Sequence, residues 1–304
     1  MYLNVDVGTT GPHFKASGAP LLNKVLYEAA SLVQSPNQTI ANQTIRDTWS
    51  GHISTMGSGS DFTAFQDFAG IPCVDMGFSA GPDTAVYHYH SNYDSFDWME
   101  RFGDPGWHYH IAITKVWALL AAKLIESPIV PLNATDYAVG LKGYLDAAKE
   151  KARAKIAASS SDQRDLLETA VSTNGLFDNL DAAIARLHNV SVAFDRAAAS
   201  LADEIEHNPI PWWKWWEKVK LYYRVRAVND KYKYLERQFL YAPGLDGRSW
   251  FKHVVFAPGK WTGYAGATFP GLVEAIGDGE WWQARKWAGI VTGVVHRAAA
   301  SLEK

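Results

Sequence analysis

Leu21, Leu22, Val25, Leu26, Ala29, Leu32 and Val33 recur three and four apart after Pro20, which predicts a helix over residues 17–34 with one buried stripe. Ahead of it, Tyr2-Leu-Asn-Val-Asp6 reads as a short strand, leaving Asp6 at its C-terminal end before the Gly8-Thr-Thr-Gly11 loop. In open α/β sheets that end is where ligands bind. Phe62, Phe65 and Phe68 follow Ser58-Gly-Ser-Asp61 at helical spacing, predicting a loop whose Ser60 or Asp61 caps a short helix. Residues 71–76 and a stretch closing at Val86-Tyr-His-Tyr-His90 are predicted strands. Asp104-Pro105 opens a helix through Ile111, Ile113, Val116, Leu119, Leu120 and Leu124, and Pro128 with Pro131 marks a boundary. Beyond it a helix is predicted over residues 137–158. A longer one follows from Leu166 through Val171, Leu180, Ile184, Leu187, Val190, Phe194, Leu201 and Ile205, with Asn174-Gly175 as an interruption. The pattern predicts an α/β unit over residues 1–127 and an all-α bundle over 128–304. Trp212-Trp213-Lys-Trp215-Trp216, and Trp281-Trp282 with Trp287, are expected mainly in core and inter-helix packing rather than in a ligand site, with a homo-oligomer interface as the intermediate reading.

Composition narrows the function. A chain of 304 residues, 47% hydrophobic and 20% charged, buries a full core and has the length of about two domains. A net charge of −3 with scattered basic residues gives no face for nucleic acid. No apolar run reaches the ~18 residues that span a bilayer, and the first residues lack the regions of a signal peptide. Four sequons, at Asn37, Asn42, Asn133 and Asn189, nevertheless point to glycosylation in a secretory compartment, extracellular or vacuolar, with targeting or anchoring supplied by a longer precursor. The lone Cys73 excludes an internal disulfide and reads as a small buried hydrophobe.

Asp6, His88 and His90 carry little weight alone. Two histidines two apart share a face on a strand, but without a Cys partner or a Glu-x-x-His motif the metal signal is weak. The ordered set of segments is more specific. It comprises Tyr2-Leu-Asn-Val-Asp6, Gly57-Ser-Gly-Ser-Asp-Phe62, Gly70-Ile71, Tyr89-His-Ser91, Asp104-Pro105 with Tyr109-His110, and Asp136-Tyr-Ala-Val139. It continues through Leu235-Glu-Arg-Gln-Phe239, Gly244-Leu245 with Arg248, His253-Val254, Ala257-Pro258, Tyr264-Ala-Gly266 and Phe269-Pro-Gly271. In this order the chain resembles, over nearly its whole length, the C-terminal part of M28-type zinc peptidases of the glutamate carboxypeptidase and transferrin receptor family.

The resemblance implies the C-terminal half of a zinc-exopeptidase sheet domain followed by a helical domain that forms homodimers. It implies that Asp6 binds one of two zinc ions and His90 the other, where paired cations share and acidify a water. Tyr89 would steady the oxyanion. Ser58, Gly59 and Ser60 would line the peptide cleft, with Tyr89, and Tyr264 would close it. The family places another histidine ligand, a bridging aspartate, the general-base glutamate and a ligand glutamate ahead of the segment at Asp6. The expectation is therefore that this chain alone binds zinc weakly, is inactive, and leaves sheet edges uncovered. Glutamate-preferring members carry a lysine and two arginines where this chain has Gly263, Asp75 and Gly77, which implies tolerance of neutral residues. The competing class is a non-catalytic receptor or scaffold that dimerises through its helices. A third reading is a helical interaction domain with a vestigial sheet. Asp6, Tyr89 and His90 together favour the peptidase.

Overall fold

The computed structural model describes residues 1–159, 175–261 and 263–303, and is mixed α/β. The predicted helix positions Leu166 and Val171, and Asn174, lie outside the described residues.

Four strands form one mixed sheet in the order β1-β4-β2-β3: β1 (Tyr2–Asn4), β2 (His13–Gly18), β3 (Ile53–Ser54) and β4 (Cys73–Ser79). The register pairs Asn4 with Asp75 across parallel β1 and β4, and Ser17 with the same Asp75 across antiparallel β2 and β4. β2 is a correction to the sequence reading, which had Ser17 in a helix. Phe14, Ala16 and Gly18 alternate inward, but two of the three are too small to announce a strand. The helix instead begins after Pro20, as α1 (Asn23–Ala30), with Val25, Leu26, Ala29 and Ala30 buried.

The predicted strand at residues 86–90 is absent. Val86 and Tyr89 are exposed, so no buried face holds the segment flat, and a turn closes from Ser91 N to His88 O (3.2 Å). The helix after the Ser58 loop widens into a π-turn, Ala64–Phe68. Phe62 enters the core there, while the exposed Phe65 and Phe68 stack on Tyr2 and Trp250.

Short helices α2 (Ile45–Thr48) and α3 (Phe96–Trp98) precede the long ones. α4 (His108–Glu126) starts where the buried Asp104 accepts from the backbone of Tyr109 (3.2 Å) and His110 (2.9 Å), so the proline-linked aspartate caps it from outside. α5 (Ala134–Ala157) is capped by the Asn133 side chain, and α6 (Asp178–His207) lies against it. Asp195 of α6 ties the elements together. Its carboxylate accepts from the backbone of Ala134 and Thr135 and from the Tyr232 hydroxyl (2.7 Å) of α7 (Trp215–Leu235). A hairpin of β5 (Phe256–Pro258) and β6 (Gly266–Thr268) leads into α8 (Pro270–Asp278) and α9 (Trp281–Glu303), which packs along α6.

One apolar core runs from Phe14, Val74 and Phe78 of the sheet through Leu141 and Leu187 of the bundle to Val291 of α9. Ile129 and Leu132, in the proline-marked connector, are buried in it. Trp287 is buried, but Trp282 and all four tryptophans between 212 and 216 are exposed, against the expectation of core packing.

Candidate functional site

β1 ends at Asn4, and the next residues leave the sheet at the edge that also receives the loop 56–60. Asn4 is buried, and its amide nitrogen donates to Ser60 Oγ (3.0 Å) and to Asp75 Oδ1 (2.8 Å). Asp75 Oδ1 also accepts from the Asp6 backbone (3.3 Å). Ser60, Asn4, Asp75 and Asp6 thus form one chain of contacts from the loop to the strand end. Burial raises the Asp75 carboxyl above its usual range, the bonds from Asn4 and Asp6 N oppose this, and the neighbouring Asp6 charge adds to it. Ser60 spends its hydroxyl on this chain and no side chain caps the following π-turn, which departs from the capping role expected for Ser60 or Asp61.

The loop is held in backbone contact with the segment after β5. Ser58 N donates to Tyr264 O (3.0 Å). A Cβ on Gly57 would lie 2.1 Å from Tyr264 O, and one on Gly59, whose φ is +104°, 2.7 Å from the Tyr264 ring. Only glycine permits both the approach and the dihedral.

Tyr89 and His90 sit on the 88–91 turn, with His90 in the left-handed region at φ 59° and its ring stacked on Tyr89 at 3.7 Å. The exposed Tyr89 phenol is held above its ordinary pKa, first by desolvation, then by the neighbouring Tyr264 phenol and the Asp6 charge. Asp6 also acts on Tyr87, whose hydroxyl meets Asp94 (2.8 Å) and is pushed up to about 12 by burial and that bond. Asp6, Tyr89 with His90 against it, Tyr264 and the Ser58, Gly59, Ser60 loop therefore gather at one end of the sheet. His88 turns away, onto Tyr93 and Trp98.

Among the described residues no group of three or more His, Cys, Asp or Glu side chains is arranged to hold a metal ion. The donors present do not by themselves make a zinc centre, because two ligands leave a tetrahedral ion half unheld.

Asn4 is the site residue that sequence reasoning passed over, and Asp75 was named there only for the cation it lacks, not as Asn4's partner. A signal existed: Tyr2, Asn4 and Asp6 alternate onto one face, and a buried asparagine on a strand demands partners. Of the sequons, Asn37, Asn42 and Asn189 are exposed. Asn133 is half-buried and its side chain accepts from Asp136 N (2.8 Å). No described helix is long and apolar enough to cross a membrane.

Residues 176–303 match the transferrin receptor-like dimerisation domain. Over 99% of its length the chain is 34% identical to a probable glutamate carboxypeptidase of Arthroderma benhamiae, covering 38% of that protein. It is 32% identical, over 90% of its length, to the probable glutamate carboxypeptidase LAMP1 of Arabidopsis thaliana, of which it covers 35%. It is 27% identical, over 99% of its length, to the aminopeptidase NAALADL1 of Mus musculus, of which it covers 40%. The chain belongs to the glutamate carboxypeptidase and transferrin receptor-like family, and corresponds to the C-terminal part of its members, spanning less than half of the length of these relatives.

Proposed function

We propose that this chain is the C-terminal part of a zinc-dependent exopeptidase of the secretory pathway, acting on small peptides as a homodimer. The gathering of Asp6, Tyr89, His90, Tyr264 and the glycine-built loop at one sheet end carries the reading. In it, Asp6 and His90 each lend one donor to a two-zinc site that needs further ligands. Bound there, zinc would polarise the scissile carbonyl. The chain's own residues do the rest. The Tyr89 phenol, protonated at neutral pH as tyrosines ordinarily are, donates to the oxygen that gains charge. The loop 58–60 offers backbone groups and the Ser58 hydroxyl along the peptide, and Tyr264 closes the cleft beside Tyr89.

Specificity follows from absent cations. Gly77 admits no side chain, since a Cβ would lie 2.6 Å from Val7 O, and Asp75 is committed to Asn4 and Asp6 N. With no cation at either position, nor at Gly263, an acidic side chain forgoes charge-assisted bonds of about 1.5–3 kcal/mol each. The pocket is therefore not strictly glutamate-selective and tolerates neutral or apolar C-terminal residues better. The family's dimerisation region supports self-association. The sequons support lumenal location, as does 27% identity to the vacuolar protein sorting-associated protein 70 of Saccharomyces cerevisiae.

That no third metal donor joins Asp6 and His90 among the described residues favours, as second reading, a non-catalytic dimeric scaffold. The test is zinc content after dialysis against a mild chelator, with a peptide panel, on the 304-residue chain. Weak zinc and no turnover are expected of it. Stoichiometric zinc with turnover would overturn this division of the ligands; the specificity is read on this chain joined to the preceding portion of a relative, where a strong preference for C-terminal glutamate over leucine would overturn it.

A further inference from the structure

α7 has two opposed faces. Leu221, Val225 and Val228 pack part-buried onto the core, and Tyr232 and Leu235 are fully inside it. Trp215, Trp216, Val219, Tyr222 and Tyr223 fall at i, i+1, i+4, i+7 and i+8, a single stripe facing away from that core. Trp212 and Trp213 extend it through the preceding turn. These seven side chains are between 45% and 80% exposed. None of the four indole N–H groups has a partner among the described residues.

The charges around the stripe are ordered. Residues 212–226 contain five basic side chains and one acid, Glu217, in a chain whose net charge is −3. Lys214 pairs with Glu217, Arg224 with Glu204 and Arg226 with Asp230. Lys218 and Lys220 are exposed and in no ion pair among the described residues. One turn of helix geometry places Lys218 beyond the Trp215 and Tyr222 edge of the stripe, and Lys220 beyond the Trp216 and Tyr223 edge.

We propose that this stripe is a docking surface for an anionic membrane, on which α7 lies with its indoles and phenols at headgroup depth. Trp and Tyr favour that layer because one end of each ring is apolar and the other wants a polar partner, which these N–H groups lack in the protein. A lysine on each border is the arrangement in which both ammonium groups reach lipid phosphates while the stripe sits flat. A second copy of the chain is the rival occupant, since the dimerisation match covers this helix. Protein interfaces, however, are depleted in lysine, and here free lysines border the aromatic face on both sides.

The test is flotation of the full chain with phosphatidylcholine vesicles, with and without phosphatidylserine, alongside tryptophan emission and mass by light scattering. The chain should float with the serine-lipid vesicles and its emission shift to the blue. Trp215→Ala with Trp216→Ala should abolish both, leaving the mass unchanged. Lys218→Gln with Lys220→Gln should weaken binding on the order of 30-fold, on the anionic vesicles only. Trp282→Ala, equally exposed on α9, should behave as the parent. Failure of the parent to float, or flotation surviving the tryptophan pair, would overturn the proposal. A tryptophan variant that halves the mass while still floating would assign the stripe to a second copy.

Discussion

Removing the Tyr137 hydroxyl tests how the helices are fixed to the site. Tyr137 of α5 is fully buried, stacked on Phe239 at 4.5 Å, and donates to Glu236 Oε1 (2.9 Å). His253 Nε2 meets the same oxygen at 3.0 Å. Its Nδ1 accepts from the backbone of Val255 (3.2 Å) and Phe256 (3.1 Å), so the proton resides on Nε2 and His253 donates to Glu236. The next links reach the site: Lys252 N (2.8 Å) and His253 N (2.9 Å) donate to Asp67 O in the π-turn after the Ser58 loop, and the chain runs on from Phe256 to Tyr264. Tyr137→Phe deletes one donor and leaves no cavity, for a loss of about 1–3 kcal/mol. His253→Ala takes a donor from Glu236 and strands two buried backbone N–H groups, each costing about 1–3 kcal/mol, so it should cost at least twice as much. Urea unfolding followed by far-UV dichroism gives both values. Equal losses, or a Tyr137→Phe loss below ~0.5 kcal/mol, would show that the network does not hold this junction.

Three further outcomes follow. Burial lifts the Asp67 carboxyl from 3.8 to about 8, with Gln66 and Arg248 opposing. The folded state thus holds its proton more tightly than the unfolded one, and the associated stability, complete below about pH 4, is lost as pH rises to about 8. Asp67→Asn should flatten that fall, and thermal unfolding across this range that stays parallel to the parent would refute it. Asn4→Leu takes the side-chain donor from Asp75, leaving it the Asp6 N–H, and frees Ser60, lowering stability by about 1–3 kcal/mol in urea unfolding; no change would discount the Asn4 bridge. Gly59→Ala meets both the Tyr264 ring and a left-handed dihedral, so a fall in Tm worth at least ~1–2 kcal/mol is expected, and an unchanged Tm would contradict the close packing of the loop.

Much of this was legible in the chain because its strongest signals are local. The apolar spacing of α4, α5 and α6 and the Asp104-Pro105 start were readable, and so was Asp6 at a strand end. β2 was missed because Ala16 and Gly18 give a weak alternation. Residues 86–90 were misread as a strand because Val, Tyr and His carry β propensity, whereas nothing covers either face of the segment. Grouping Tyr89 with Asp6 and Tyr264 needed family order, since residues far apart in sequence leave no local trace. The exposure of Trp212, Trp213, Trp215 and Trp216 ran against the ordinary habit of tryptophan, and only the position of α7 relative to the core revealed it.

The central claim is that Asp6 and His90 are the zinc donors this chain brings to a peptidase site. The most direct measurement joins the preceding portion of the Arthroderma relative to this chain and compares bound zinc and peptide hydrolysis for the chimera and its Asp6→Ala and His90→Ala variants. Each substitution should cut zinc retention after dialysis and lower the rate by at least ~10²-fold, with dichroism unchanged. Full zinc and undiminished turnover in either variant would contradict the assignment.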